Sequence, residues 1–414
     1  MNTATPRGGS LKAATIATVL VFGLNGFVFA TWVARIPSVA NTLDLDNSQM
    51  GGLLLLVAIG SMLALPLAGF VVGKVGTANA VRTGGLICAV GAALIATALL
   101  TVSVPLTGAG LFLFGTGVAL WDVSMNIEGA DVERRRRQTI MPQFHAAFSG
   151  GAFVGALLGA GLAFLGVGLP LHLLVVAACS ALIALLLPKY FLPVAPVTPK
   201  EHESEAKSRM FAWKEPRTLL LGLVVLGAAL TEGAANDWIA KATVDGLDAS
   251  PATGSIMFAV FVGAMTAFRF FGGRFIDRYG RVPVLRISLA SALVGLLIFV
   301  FGPNVWVAGF GAVLWGAGAA LGFPMGMSAA ADEPERAAAR VAVVSTVGYT
   351  AFLAGPPLLG FLGDQIGIRN ALLAVGVAVL ASLLTVNAAR EREHSHHASV
   401  VGTGTGTGTG SGNG

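Results

Sequence analysis

Twelve stretches of this chain are each long and apolar enough to cross a lipid bilayer, and that feature limits every other reading. A hydrocarbon core takes about 20 apolar residues per helix. Runs of that kind fall at 12–35, 49–72, 80–102, 105–129, 141–165 and 169–188, then at 216–240, 251–276, 283–301, 304–330, 341–363 and 368–389. The 414 residues are 55% hydrophobic and 11% charged, against roughly 25% charged in a soluble domain. Lipid is therefore the expected solvent. Runs of this length read as helices, which satisfy their own backbone groups where no water reaches. The expected class is an all-α membrane protein. The first run follows only Arg7 and Lys12 and continues into Trp32 and Arg35; it reads as a retained helix, with a signal peptide as the alternative.

The net charge of +5 does not point to nucleic acid, because the basic residues sit in short segments between apolar runs. If the N-terminus is cytoplasmic, 22 of the 26 Lys and Arg residues fall on the cytoplasmic side. Only Arg35, Lys241 and Arg369 fall outside, and Arg269 alone lies within a run. Both termini are thus expected in the cytoplasm of a multi-pass inner-membrane protein. Cys88 and Cys179 lie inside apolar runs, so neither a disulfide framework nor a CxxC metal motif is expected. His394, His396 and His397 precede a Gly-Thr repeat and would bind metal only adventitiously. There is no G-x-x-x-x-G-K-[ST], HExxH or G-x-S-x-G motif, so ATP-driven pumping, enzymatic activity and a resident cofactor or metal are not expected.

The chain divides into an N-terminal six-helix bundle at 1–190, a cytoplasmic linker at 191–215, a second six-helix bundle at 216–389 and a disordered tail at 390–414. The two sixes repeat each other. Thr31-Trp32-Val33-Ala34-Arg35 has a counterpart in Asp237-Trp238-Ile239-Ala240-Lys241, and the segment 69–76 has one in 273–281. Asp131 and Glu133-Arg134 match Asp332 and Glu335-Arg336. Six plus six in the same orientation is a parallel duplication, and transporters built so place solute between the halves near the midplane.

Gly273-Arg274-Phe275-Ile276-Asp277-Arg278-Tyr279-Gly280-Arg281 resembles the G-x-x-x-D-R-x-G-R signature of the major facilitator superfamily, and the resemblance covers residues 12–389. In the matching loop of the first half, Gly73 stands in place of the acid and Lys74 in place of the arginine, a departure from the family's inward-side charge latch. Trp-Asp-Val-x-Met-Asn at 121–126, Met-Pro-x-Phe-His-Ala-Ala-Phe-Ser at 141–149 and Thr-Glu-Gly-Ala-Ala-x-Asp-Trp at 231–238 further resemble the MosC-like branch. The resemblance implies the major facilitator fold and, for that branch, rhizopine-type (inositol-derived) solutes. Ala156 follows Gly155 where drug antiporters of the superfamily carry Gly-Pro; Gly355-Pro356-Pro357 occurs instead in the eleventh run.

Several polar residues lie inside the runs. Acids and amides in lipid mostly face a partner or a wet cavity. Asp122 and Asn126, four apart, share one helix face near mid-depth. They form either a proton or cation site, with Asn126 holding solute or orienting the acid, or a structural pair that locks two helices. Glu232 and Asn236 share a face in the same way, and Asp237 and Trp238 lie near the expected outer end, where an interfacial role is the alternative. His145, about one turn into the fifth run, suits a proton relay or gate, or else a backbone-bonded imidazole; His172 is expected at the interface. Arg269 needs an acidic partner or an anionic solute. Asn25, Trp32, Trp121, Trp315 and Tyr349 offer hydrogen bonds and stacking, or ordinary packing. Glu128, Asp131, Glu133 and Arg134, with Asp277, Arg278 and Arg281 in the second half, form the expected gating charge cluster. Gly151, Gly155 and Gly159 make a small-residue packing face.

These residues together lead to the expectation of a secondary active transporter for a small polar solute, of sugar or inositol type, proton-coupled and working by alternating access. Its partners would be the solute, a proton or other cation and the bilayer, and a monomer is expected. Efflux of amphipathic cations by proton antiport and a non-transporting solute receptor are the alternatives.

Overall fold

The computed structural model of the chain describes residues 11–192 and 211–390 apart from 139, 334 and 335. Most of the expected linker (193–210), the N-terminal ten residues and the His- and Gly-Thr-rich tail lie outside the described residues. Among the described residues there are helices and turns but no strand. Eleven helical stretches are long and apolar enough to span a membrane. One of them, Asn47–Leu100, is 54 residues long and is broken by Gly76 at φ 80°, ψ 161°; its two parts are α2 and α3. The chain therefore holds twelve spans. The others are α1 (Leu11–Val33), α4 (Val104–Arg136), α5 (Met141–Phe164) and α6 (Leu169–Leu186). In the second half come α7 (Pro216–Leu247), α8 (Pro251–Tyr279), α9 (Arg281–Phe301), α10 (Val305–Ala319, resumed at Gly322–Ala330), α11 (Ala337–Ile366) and α12 (Ile368–Ala371, resumed at Leu373–Thr385). Leu384 and Trp306 are each 84% exposed, a surface suited to lipid and not to water.

The duplication is visible in backbone angles. Asp44 and Asp248 both close their first span in the left-handed region, at φ 51° and 50°. Gly76 and Gly280 turn the next connection at φ 80° and 79°, angles that cost glycine little and other residues much. The turn after the fifth span of each half uses Gly166 and Gly367 in the same way.

The same glycines also pack the two bundles alike. Gly110, Gly115 and Gly117 of α4 lie against Ile95, Val57 and Cys88 with no room for a Cβ. Gly311, Gly316 and Gly318 of α10 lie against Phe299, Phe261 and Ala292 in the same order. In lipid, apolar side chains gain little by leaving the solvent, so helices associate where backbones approach closely. The expected ladder Gly151, Gly155 and Gly159 likewise meets α1 at Gly23, Phe27 and Ala34.

Three expected boundaries are corrected. The charged stretch after residue 129 is not a loop: α4 runs on to Arg136, helped by Asp131 pairing with Arg134 and Arg135 one turn later. The seventh span does not end at Ala240 but at Leu247, so Trp238 is fully buried and is not an interfacial anchor. The tenth span is not continuous. Pro324 has no N–H to offer the carbonyl of Ala320, and the helix breaks between Ala319 and Gly322.

The end of the expected linker is fixed to the second bundle. Ala212 is buried, and the Glu215 carboxylate takes two 2.7 Å bonds from Arg340 and one of 2.8 Å from Thr218. Burial alone would raise the Glu215 carboxyl, but the Arg340 guanidinium outweighs it and holds the group below the ordinary carboxylate range.

Two outcomes follow from this packing. Gly115→Val and Gly316→Val should each lower the melting temperature in detergent, at a cost of at least about 1–3 kcal/mol; Gly73→Ala and Gly273→Ala, where a Cβ would meet nothing within 4 Å, should leave it unchanged. The Glu215–Arg340 bond stabilises fully above the unfolded carboxyl value of about 4.3 and is lost as pH falls through the lower folded value. The stability gap between the wild type and Glu215→Gln should thus be widest near neutral pH and narrow below about pH 4.

Candidate solute and ion site

The polar groups of the two bundles meet across the gap between them. From the first half, α4 offers Asp122 and Asn126, both half-buried, and α5 offers His145, which is exposed. From the second half, α7 offers Glu232, α8 Arg269 and α11 Tyr349, each half-buried. Tyr349 lies within the field of Asp122, and His145 lies within the field of Arg269. Each of those two pairings spans the halves. His145 also meets the Phe22 ring edge-on at 5.5 Å.

Asn126 donates to the Asp122 backbone carbonyl at 2.8 Å and to its carboxylate at 3.3 Å. The pair is thus internal to α4 and does not lock that helix to a neighbour. Arg269 has an acidic partner: its guanidinium meets Glu232 at 2.7 Å. It also donates through Nε to the Ala320 carbonyl at 3.1 Å, the group left free where Pro324 breaks α10. One side chain therefore ties α7, α8 and the break in α10 together. The planar guanidinium suits this, since its fixed fork reaches two acceptors at once.

Asp237 and Asn236 make no hydrogen bond or ion pair among the described residues. Lys241, one turn on from Asp237, bonds Asp245 instead at 2.7 Å. Gly233, one turn before Asp237 on the same face, packs on Phe352, which sets that face toward α11. With Glu232 neutralised by Arg269, the membrane interior retains two acids without a basic partner, Asp122 in one half and Asp237 in the other. Asn25 is buried in α1; its amide reaches the Val118 carbonyl at 3.4 Å and its Oδ1 has no partner. Trp32, Trp121, Trp238 and Trp315 are all buried and serve the packing of the bundles. His172, expected at the interface, is buried instead.

The expected charge cluster lies on the face that carries the two ends of the described chain, away from the site. Glu128 is buried there, accepting from Thr77 Oγ1 and from the Leu192 N–H at 2.7 Å each. It therefore holds the turn at Gly76 from α4, in the half whose loop lacks the signature acid. Glu133 accepts from the N–H groups of Ile140 and Met141 at 2.7 Å each and caps the start of α5. Asp131 pairs with Arg134 and Arg135. Its repeat partner Asp332 pairs with Arg217 at 2.8 Å and Arg281 at 3.0 Å. Asp277 and Arg278 are exposed, with Arg278 over the Tyr279 ring. These ion pairs each lie within one half.

The halves are bonded to each other on the opposite face. Asp364, near the end of α11, accepts from the N–H groups of Asn47 and Ser48 at 2.9 Å each and from the Ser48 hydroxyl. Ser255, in the first turns of α8, donates to the Ala34 carbonyl at 2.5 Å. Deeper in, Phe153 of α5 packs on Gly263 of α8. The sequence reading missed Asp364, Ser48 and Ser255, and no local pattern joins residues more than 200 positions apart. The break in α10 did have a signal, a proline inside an apolar run.

Comparison with known proteins agrees with this architecture. The family model described as Major Facilitator Superfamily matches residues 225–405. The transporter y4wD of Sinorhizobium fredii is 32% identical over 369 residues, 88% of this chain and 96% of that one. An MFS-type transporter of Yersinia pestis is 30% identical over 91% of this chain and 94% of its own length. The membrane protein MosC of Rhizobium meliloti is 26% identical over 89% of each. Among solved structures, the nucleoside transporter NupG superposes with a TM-score of 0.77 at 15% identity, covering 91% of this chain and 99% of that one. The E. coli fucose:proton symporter FucP gives 0.60 at 17% identity, over 91% and 100%. With its twelve spans in two repeated bundles, the chain belongs to the major facilitator superfamily: it is a multi-pass membrane transporter and not an enzyme.

Proposed function

We propose that the chain is a proton-coupled secondary transporter of a small polar solute of sugar or inositol type. It works by alternating access in the cytoplasmic membrane, as a monomer with both termini in the cytoplasm. The observation that carries the coupling is the pair Asp122 and Asp237, two acids within the membrane with no basic partner among the described residues. An unpaired charge at mid-membrane costs roughly 2.5–3.5 kcal/mol on insertion scales, and a proton or a cationic group taken up with the solute removes that cost. The Glu232–Arg269 pair is neutral as a unit and acts in positioning, not in charge uptake. Asn126, Asn236, His145 and Tyr349 offer the donors and acceptors that a polyol needs. The Lys and Arg asymmetry supports the cytoplasmic placement of the face that carries Leu11 and Ala389. The halves are bonded on the other face, so this arrangement is the inward-facing one of the cycle.

A second reading, efflux of amphipathic cations by proton antiport, draws on the same two unbalanced acids. It requires tetraphenylphosphonium to bind and Asp122→Asn or Asp237→Asn to abolish that binding. A non-transporting receptor would bind solute with no flux at all.

In proteoliposomes offered myo-inositol and a panel of sugars, polyols and amino acids, an imposed pH gradient should drive uptake of one class. Asp122→Asn should abolish the gradient's effect, and the proton role fails if uptake and its pH dependence are unchanged. For the buried pair, Arg269→Met should destabilise more than Glu232→Met/Arg269→Met, because the single change strands a carboxylate. A stranded partner of a fully buried pair costs about 3–5 kcal/mol, and less is expected here because both side chains are about a quarter exposed. Melting curves of the full double-mutant cycle measure this; equal or smaller loss in the single variant would contradict the pairing.

A further inference from the structure

The contact between Asp364 and the start of α2 has a function of its own in such a cycle. The first residues of a helix leave N–H groups without intrahelical acceptors, and a carboxylate placed there gains from both the hydrogen bonds and the helix dipole. In α2 two carboxylates share this task. Asp46 caps the helix from its own chain neighbourhood, accepting from Gln49 N–H at 2.7 Å while its own N–H bonds the Gln49 side chain at 3.0 Å. Asp364 reaches the remaining donors, Asn47 and Ser48, from the other half of the molecule.

Backbone packing holds the two helices at this distance. A Cβ on Gly51 would lie 2.6 Å from the Pro356 carbonyl oxygen, and Gly360 is pressed against the Asn47 carbonyl with no space for a Cβ. Gly363 faces Asn47 as well. The first turn of α2 and the last turns of α11 thus touch main chain to main chain, and the carboxylate closes the contact.

We propose that Asp364 is the outer latch of the transport cycle: its carboxylate caps α2 across the two halves when the outer side is closed, and must leave those N–H groups for the outer side to open. This rests on the alternating-access reading above. Opening exchanges a charge-assisted bond set for water. Removing the charge should shift the balance toward the outward-open form by about tenfold or more, the equivalent of one hydrogen bond to a charged group. Asp364 is a positioning residue and need not touch the solute. Asp364→Asn keeps the shape but brings an amide donor or a single neutral acceptor to two N–H groups.

The test uses distance measurements between spin labels on the full chain in nanodiscs, in a Cys88→Ala/Cys179→Ser background. One label pair, Asn41→Cys and Asn370→Cys, reports on the outer face; another, Gln138→Cys and Arg274→Cys, reports on the terminal face. Asp364→Asn should add a longer outer distance and a shorter terminal-face distance. Gly360→Ala should do the same by steric wedging, and Ser48→Ala, which loses only the hydroxyl bond, should do so to a smaller extent. Asp46→Ala removes a cap of the same helix without crossing the halves; it should lower the melting temperature and leave both distances alone. If Asp364→Asn and Ser48→Ala keep the wild-type outer distance while pH or myo-inositol moves the terminal-face pair, the latch is wrong and the rocking cycle stands. If neither pair moves in any variant or condition, the alternating-access reading is itself overturned.

Discussion

Close backbone contact at glycine is the constraint on which this molecule depends. In water a bundle is held by burying apolar side chains, but lipid is as apolar as leucine and removes most of that drive. What remains is dispersion between atoms that fit closely, and the closest fit is made where no Cβ intervenes. Gly110, Gly115 and Gly117 do this in the first half and Gly311, Gly316 and Gly318 in the second, against equivalent neighbours. Each half is thereby a stiff unit. A stiff unit can move as a body, and the polar groups between two such units can be exposed to one side and then the other.

The polar chemistry is divided accordingly. Groups that fix a half stay within it: Glu128 under the turn at Gly76, Glu133 at the start of α5, Asp332 between Arg217 and Arg281. Groups that face across the gap are Asp122 opposite Tyr349 and His145 opposite Arg269. Arg269 stands between the two kinds, bound to Glu232 and to the carbonyl freed by Pro324. A change at Glu232 would therefore reach the break in α10 through one side chain.

Much of the architecture was legible in the sequence because lipid imposes a length and a polarity that local composition reports. The twelve spans follow from run length, and the repeat follows from matched words such as Trp32 with Trp238 and Asp131 with Asp332. Asp122, Asn126, Glu232 and Arg269 stood out because a charge in an apolar run is costly. What was not legible depended on partners distant in the chain. Asp364 reads as an ordinary acid at the end of a span until Ser48, 316 residues away, is placed beside it. Trp238 looked interfacial only because the length of α7 was underestimated; helix ends are set by caps and neighbours that hydropathy does not record. The helical arginine block and the break at Ala320 were different, since i,i+4 charge pairing and an internal proline were both available to read.

The central claim is that a solute crosses together with a proton taken by acids that have no basic partner. Solute-driven proton movement tests it most directly. Proteoliposomes loaded with a pH-sensitive dye, with no imposed gradient, are mixed with each member of the sugar and polyol panel. The account predicts that a transported solute shifts the internal pH in the wild type, and that Asp122→Asn and Asp237→Asn, singly or together, suppress the shift. Solute entry with no change in internal pH, or a shift that survives in the double variant, would contradict it.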